Sequence, residues 1–426
     1  MDAGTAPERP FQRTINTRCC IVGGGPAGMM LGYLLGRAGV ETLVLEKHAD
    51  FFRDFRGDTV HPSTLQVMDE LGLIDGFLKL PHQRLQKMDG KFGGASIRIA
   101  DLSRLKVNYP FIAFMPQWDF LNFLRESGTR FSSLKVLMNA EATDLIWSGG
   151  AVAGVQARTP DGPVEIRADL TVGCDGRHSM VRQRANLEVE EIGAPMDVLW
   201  FRSGKAAAEN ESVFARVEAG KMMVTFDRGD YWQCAYLIAK GQYGAVKARG
   251  LDAFRDDVTG MAPILKSGIS DVRTWDDVKL LTVAINRLKR WTRPGLLCIG
   301  DAAHAMSPVG GVGVNLAVQD AVATANLLAA KLAIGCPDEN QLDAVRRRRE
   351  FPTRMTQAMQ VVAQNTIISV ALKPGDQPLK VPLFARVINA LPWLQGVTAR
   401  FIALGVRPEH VHSPALSGRR PSDGRA

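Results

Sequence analysis

The sequence predicts an α/β fold: a parallel sheet extended by an antiparallel meander, interrupted by a β-rich insertion and followed by C-terminal helices. Three observations carry that prediction. The apolar segment Arg18 to Val22 runs into the turn Gly23-Gly24-Gly25-Pro26-Ala27-Gly28 and then into an apolar helical stretch, Met29 to Leu35. After Gly39 a second strand, Thr42 to Leu45, completes strand, turn, helix and strand, the unit from which parallel sheets are built. Far along the chain another apolar strand, Leu296 to Ile299, leads through a glycine-rich run, Gly300 to Asn315, into the long apolar stretch Leu316 to Leu332.

The remaining elements follow from pattern and punctuation. A helix is expected near Ser63 to Leu71, with Ser63 as its cap, Gln66 completing a capping box and Gly72 ending it. Another begins near Gln117 and runs through Trp118, Leu121 and Leu124. Glu141 to Trp147, Ala151 to Arg158 and Val164 to Ala168 alternate and are separated by glycine turns, which reads as a meander. Leu170 to Cys174 reads as a further buried strand. From Asn186 to Ala284 strand-like pieces such as Tyr231 to Ala239 dominate, as in a separate β-rich domain. The expected boundaries are therefore a flexible N-terminus 1–16; a first domain of 17–75, 110–185 and 285–370; a second of 76–109 and 186–284; a helical region 371–412; and a disordered tail 413–426. The spacing from Pro382 to Val406 suits amphipathic helices, packed on the core or touching a membrane surface.

Bulk properties narrow the function. A chain of 426 residues exceeds what one core usually serves, and 46% hydrophobic with 23% charged residues is ordinary for a globular protein. The net charge of +8 favours anionic ligands. The bases are scattered, however, and their one run, Arg346 to Arg349, falls in a polar helical stretch, so nucleic acid is not the expected partner. Six cysteines show neither metal nor disulfide spacing, and Cys19, Cys20, Cys174 and Cys298 read as small buried hydrophobes of a reducing, cytoplasmic compartment. His410 and His412 are too isolated to argue for a metal. No signal core, no transmembrane run and no metal site are expected.

Three motifs carry chemistry. In the first, Gly23 permits a tight turn, Gly25 lets backbone approach a pyrophosphate, and Gly28 lets helix pack on strand. Pro26 and Ala27 complete this turn. Glu46, followed by Lys47, lies where a carboxylate accepts hydrogen bonds from an adenosine ribose, which favours FAD or NAD over NADP. The second motif, Cys174 to Arg182, is a strand end, a polar loop and a cationic helix start. In the third, Asp301 can accept hydrogen bonds from a ribitol chain. The helix starting near Gly313 can aim positive partial charge at the N1–C2=O edge of a flavin, and Pro308 and the glycines keep that approach bare.

In this order and at these separations the motifs resemble the flavoprotein monooxygenases of the para-hydroxybenzoate hydroxylase type (group A). The resemblance covers residues 17 to about 330, and more loosely to about 412. It implies a Rossmann-like FAD-binding domain with an inserted substrate domain, FAD as cofactor, NADPH or NADH as electron donor, molecular oxygen and a small aromatic substrate. It further implies that Gly23, Gly25 and Gly28 contact the pyrophosphate, Glu46 the ribose, and Gly300 and Asp301 the ribitol or pyrophosphate. Pro308, Gly310, Gly311, Val312, Gly313, Val314 and Asn315 would surround the isoalloxazine. Asp175, Gly176 and Arg182 match the middle motif, Arg56 an arginine at the pyrophosphate or mobile flavin, and Gln117 a glutamine near the ribose or ribitol. The chain departs from relatives with a C-terminal thioredoxin-like domain and lacks the paired tryptophans of flavin-dependent halogenases.

The implied reaction passes hydride to flavin N5, forms a C4a-hydroperoxide with oxygen, and transfers the distal oxygen to an electron-rich ring carbon of a phenol-, quinolone- or polyketide-like molecule. No catalytic side chain is assigned; Pro308, Gly310 and Gly311 are the flavin-proximal positions. Tyr231 and Gln233, two apart on one strand, are the substrate candidates, while His178 and His304 read as structural or cofactor-proximal. A reductase or dehydrogenase on the same scaffold, or a non-enzymatic flavin-binding protein, are the alternatives. Either a monomer or a homodimer is compatible with the sequence.

Overall fold

The computed structural model describes residues 13–52, 59–206, 213–368, 372 and 381–416. The chain opens with β1 (Arg13–Val22), α1 (Pro26–Arg37), β2 (Thr42–Leu45), β3 (Thr59–Val60) and α2 (Pro62–Glu70). Next come β4 (Lys87–Phe92), β5 (Ala95–Asp101), β6 (Ile112–Phe114), α3 (Gln117–Gly128) and β7 (Leu134–Leu137). The meander is β8 (Glu141–Ser148), β9 (Ala151–Thr159) and β10 (Gly162–Gly173). β11 (Met196–Gly204), β12 (Val213–Glu218), β13 (Lys221–Asp227) and β14 (Tyr231–Ala239) follow. The chain then returns through β15 (Leu296–Cys298) to α4 (Gly313–Leu332), α5 (Glu339–Ala363), α6 (Leu383–Ala390) and α7 (Pro392–Leu404).

Two sheets organise the molecule. In the first, β15, β10, β1, β2 and β7 lie side by side and parallel, while β9 pairs with β10 and β8 with β9, both antiparallel. Buried on both faces, its central strands are continuous apolar runs, as parallel strands must be. The carboxyl ends of β1, β2, β10 and β15 converge on one edge, where ligands bind in open α/β sheets. The second sheet orders Lys279–Leu281, β11, β14, β13, β12, β4 and β5, so chain from before α3 and from after the meander meets in one layer.

Several expectations are corrected. Residues 13–16, expected in a flexible N-terminus, form the start of β1 and pair with Val164 to Arg167. The two strands expected on either side of Asp169 are one, because no turn residue interrupts them. Ser63 does not cap α2: His61 is the N-cap without a side-chain bond, Pro62 opens the helix, and Gln66 bonds to Glu70 instead. Residues 413–416, expected in a disordered tail, lie against α1: the Arg37 guanidinium donates to the Ser413 carbonyl, the Leu416 N–H donates to the Arg37 carbonyl, and the Leu416 side chain covers Gly39. The span Val309–Leu332 is long and apolar enough to cross a membrane, contrary to the expectation, but 78% of that window is buried inside the fold. It is the core helix that packs on α1, largely apolar because it is largely covered, with Asn315, Gln319, Asp320 and Thr324 as buried polar positions.

Candidate cofactor and active site

The first glycine loop is rigid by construction. Gly23 has a φ of +108°, its N–H donates to the Leu45 carbonyl at 2.8 Å, and a Cβ there would sit 2.4 Å from the Cys174 carbonyl oxygen. A Cβ at Gly28 would come within 1.9 Å of the Gly23 carbonyl oxygen. Gly25 differs: a Cβ built on it meets no described atom within 4 Å. Gly25 is also the N-cap of α1, with Pro26 opening the helix, no side-chain cap and no acid in the first turn. The free N–H groups and the positive end of the helix dipole therefore face an open cradle. Ala27 is buried beneath it.

Glu46 ends β2 on the same edge. It is buried, and its two carboxylate oxygens accept the Gly24 and His48 backbone N–H groups, both at 3.1 Å. Lys47 is exposed beside it. Arg56 lies outside the described residues. Gln117 is the first residue of α3, after Pro116.

The middle motif is tied to both loops. The Cys174 N–H donates to the Val22 carbonyl at 2.7 Å, which seats Asp175 and Gly176 next to Gly23. Asp175 accepts the Val181 N–H at 3.1 Å through Oδ2, while its buried Oδ1 has no partner among the described residues. Burial pushes this carboxyl above the usual carboxylate range. Arg182 donates to the carbonyls of Arg177 and Ala302, and Arg177 pairs with Asp301 at 3.3 Å. His178 is exposed.

The second glycine loop is open. Gly310 and Gly311 have φ of +79° and +64°, and no described atom lies within 4 Å of a Cβ built on Gly313. Gly313 starts α4 after Val312, again without a side-chain cap or an acid in the first turn. Pro308 is half-buried and Val314 buried. Thr59 donates to the Gly311 carbonyl at 2.7 Å. Gly300 packs against Ala27 of the first loop, where a Cβ would lie 3.1 Å from that side chain. Asn315 is oriented by two donors, the His61 N–H at 3.0 Å and the Thr64 hydroxyl at 2.6 Å, both on its Oδ1. Its buried Nδ2 then has no acceptor among the described residues.

The supports of this loop escaped the sequence reading. Gln357 donates to the Ala305 carbonyl at 3.1 Å, Gln360 to the Ser307 and Val309 carbonyls at 2.9 Å each, and Gln364 to the Ser307 hydroxyl. Beneath them Asp320 accepts from His304 at 2.6 Å, from Arg349 at 3.0 Å and from the Gly300 N–H at 3.1 Å. Burial alone would raise the Asp320 carboxyl, but His304 and Arg349 outweigh it and hold the group below the ordinary carboxylate range. Arg349 continues to Glu409, which also pairs with Arg348. The signal was present as glutamines at 357, 360 and 364, one face of a helix whose neighbours are apolar.

The second sheet faces this loop. On β14 Tyr231, Gln233, Ala235 and Leu237 share one side, while Trp232, Cys234 and Tyr236 pack with Phe201 and Phe254 on the other. Arg228 donates to the buried Gln233 at 2.9 Å and lies 5.8 Å over the Phe114 ring. Phe226 contacts Phe114 at 5.1 Å and stacks on Trp200 at 6.0 Å. Phe114 pairs with Thr59 across β6 and β3, so this aromatic wall is joined directly to the Gly311 carbonyl. Tyr231 sits at the end of its strand under the Arg202 guanidinium, 5.0 Å away. Among the described residues no three His, Cys, Asp or Glu side chains cluster as a metal site.

Two uncapped helix starts at the carboxyl edge of a parallel sheet, one rigid and one bare, define a dinucleotide-binding flavoprotein with a second, β-sheet domain. The chain belongs to the FAD binding domain family, whose model matches residues 16–359, and that family is one of flavin-dependent monooxygenases. The chain is 29% identical over 421 residues to 6-methylpretetramide 4-monooxygenase of Streptomyces rimosus, covering 98% of this chain and 99% of the relative. It is 27% identical to dialkyldecalin synthase of Streptomyces rugosporus over 84% of this chain and 74% of that one. An anhydrotetracycline hydroxylase of Streptomyces rimosus superimposes with a TM-score of 0.71 at 24% identity, over 93% of this chain and 77% of that structure, a likeness of fold. The residues fit the cofactor: Gly25 and Gly313 leave open cradles at helix starts, and Asn315 Nδ2 is a buried donor needing an acceptor.

Proposed function

We propose that the protein is an NAD(P)H-dependent FAD monooxygenase that hydroxylates a planar aromatic or polyketide-like molecule. One observation carries the reading: the bare loop from Gly310 to Gly313, at an uncapped helix start, is bridged by Thr59 to the Phe114–Phe226–Trp200 wall. Bound FAD would supply the redox chemistry, accepting electrons from the nicotinamide and passing them to oxygen. In this reading Gly23, Gly25, Gly28 and the first turn of α1 hold the pyrophosphate, and Glu46 accepts the ribose hydroxyls. Asp301, steadied by Arg177, takes the ribitol chain. The N–H groups at the start of α4 stabilise negative charge on the reduced ring, where an acid in the first turn would oppose it. The wall excludes water and stacks an aromatic ring, and Gln233 with Arg228 offers donors to an oxygen on that ring.

The full-length protein, loaded with FAD, should consume NADPH or NADH faster in the presence of a tetracyclic or phenolic polyketide. It should also place one atom of isotope-labelled dioxygen in the product. Reduction of FAD by NAD(P)H with no labelled product would make it a reductase on this scaffold. Product formed without NAD(P)H or oxygen would favour a synthase, the activity that the name of the Streptomyces rugosporus relative states. A colourless protein that takes up no FAD would end the reading.

A further inference from the structure

The second half of α5 is built inside out. Its buried face carries Arg349, Thr353, Gln357 and Gln360, with Gln364 in the next turn. Its exposed face carries Phe351, Met355, Met359 and Val362, at the spacing of one helical stripe. Phe351 is 56% exposed and Val362 64%. The inward glutamines are explained by the loop they hold. Among the described residues nothing packs over the outward apolar stripe.

The stripe does not stand alone. On α6, Leu383 and Val387, followed by Leu391, are exposed at i, i+4 and i+8, and on α7 Trp393, Val397 and Phe401 repeat that spacing. α7 anchors itself by the opposite face, with Ala399 and Ala403 buried in the cluster that includes Ala100 of β5. Pro352 and Thr356, next in sequence to Phe351 and Met355 of the α5 stripe, line one cavity with Phe401 of the α7 stripe, so the two helices adjoin beside their stripes. Trp393 is 64% exposed and Leu383 73%, unusual values for large apolar side chains at such density.

The charges choose between occupants. From residue 351 to 408 the sequence holds six Lys or Arg and a single acid, Asp376. Arg354, Arg386, Arg400 and Arg407 are all exposed around the stripes. In a two-fold contact with a second copy the patch would meet itself, and this cationic rim would oppose its own charge. An anionic bilayer complements both features: apolar stripes with an exposed tryptophan enter the acyl boundary while arginines reach the headgroups. The geometry points to this face as a peripheral membrane-docking surface for anionic lipid. The same helix that meets the lipid holds Ala305, Ser307 and Val309 from its other side, so docking is mechanically continuous with the second glycine loop.

The test floats FAD-loaded, full-length protein with vesicles of phosphatidylcholine alone or containing a third phosphatidylglycerol. Binding is expected to the anionic vesicles, weakening as salt rises, with a blue shift of tryptophan emission that Trp393→Ala abolishes. Met355→Glu with Met359→Glu should remove binding while the flavin spectrum and thermal midpoint stay unchanged. Arg386→Glu with Arg400→Glu should weaken binding by at least about fivefold for each arginine. No flotation with either vesicle, or stripe variants that only turn a concentration-dependent dimer into a monomer, would overturn the assignment. The readout needs no turnover, so it stands or falls independently of the oxygenase reading.

Discussion

The two glycine loops open similar helices and are built in opposite ways. In the first, glycine is demanded by the protein's own backbone: at Gly23 and Gly28 a methyl group would collide with carbonyl oxygens of the chain. In the second, the helix start is left open: no described atom lies within 4 Å of a Cβ at Gly313, while a Cβ at Gly311 would press on the Thr59 hydroxyl at 2.6 Å, the group that holds the loop. The first loop is held from within, by Leu45, Cys174 and Glu46. The second is held from outside, by Thr59, by the glutamines of α5 and by the Asp320 network. A loop that must fix a pyrophosphate can be rigid backbone. A loop that must present a bare face to a flat ring has to take its stiffness from residues behind it.

The largest expected effect sits in the first loop. Gly28→Ala should cost more than about 4 kcal/mol and leave little folded protein, seen as a lost thermal transition. Gly25→Ala should leave the apoprotein within about 1 kcal/mol of wild type, yet weaken FAD at least about tenfold by titration. Equal losses of stability in the two variants would break the distinction between glycines kept for the fold and a glycine kept for the ligand.

Next is the Asp320 network. Asp320→Ala leaves the buried His304 without its carboxylate and Arg349 with Glu409 as its remaining acid, and should lower stability by about 3–5 kcal/mol in chemical denaturation. The first-loop contacts, Gly23 to Leu45 and Gly24 to Glu46, should survive in hydrogen exchange while Gly311 and its neighbours lose protection.

Acid should separate the loops more gently. His61, whose backbone N–H holds Asn315, has its imidazole pKa lowered to about 4 by burial, with the Ile402 carbonyl opposing. The folded protein therefore resists protonation there more than the unfolded chain does. Stability should be full above about 6.5 and fall by up to about 3 kcal/mol as pH drops to about 4. Asp320, also held low, adds a second loss only below the ordinary carboxylate range. A stability curve flat from neutral pH to 4 would contradict this placement of His61. The smallest effect is Thr59→Val, which removes one hydrogen bond to Gly311 and should cost about 1 kcal/mol, while changing the flavin spectrum more than that cost suggests.

Both glycine loops, the parallel strands feeding them and Glu46 were legible because their reasons are local. A turn that needs positive φ shows itself as glycine, a strand buried on both faces as an apolar run, and an acid at a strand end by its position. Residues 413–416 and the start of β1 were missed because neither is apolar enough to advertise that it is held. Gln233 was readable from its alternation with Trp232, but only the sheet shows that it accepts from Arg228 while Trp232 enters a separate core.

By itself the sequence determined where the dinucleotide-binding loops lie and what backbone they need, since steric demands on a turn are written in the residues that make it. The tertiary structure alone decided what stiffens the second loop and which face of α5 is inside. Gln360 meets Ser307 across 53 residues, and Asp320 meets Arg349 across 29. A glutamine or an arginine on a helix looks solvated until the carbonyls and carboxylate it must satisfy are brought against it, and burying those groups unsatisfied would cost more than exposing the apolar stripe on the opposite face.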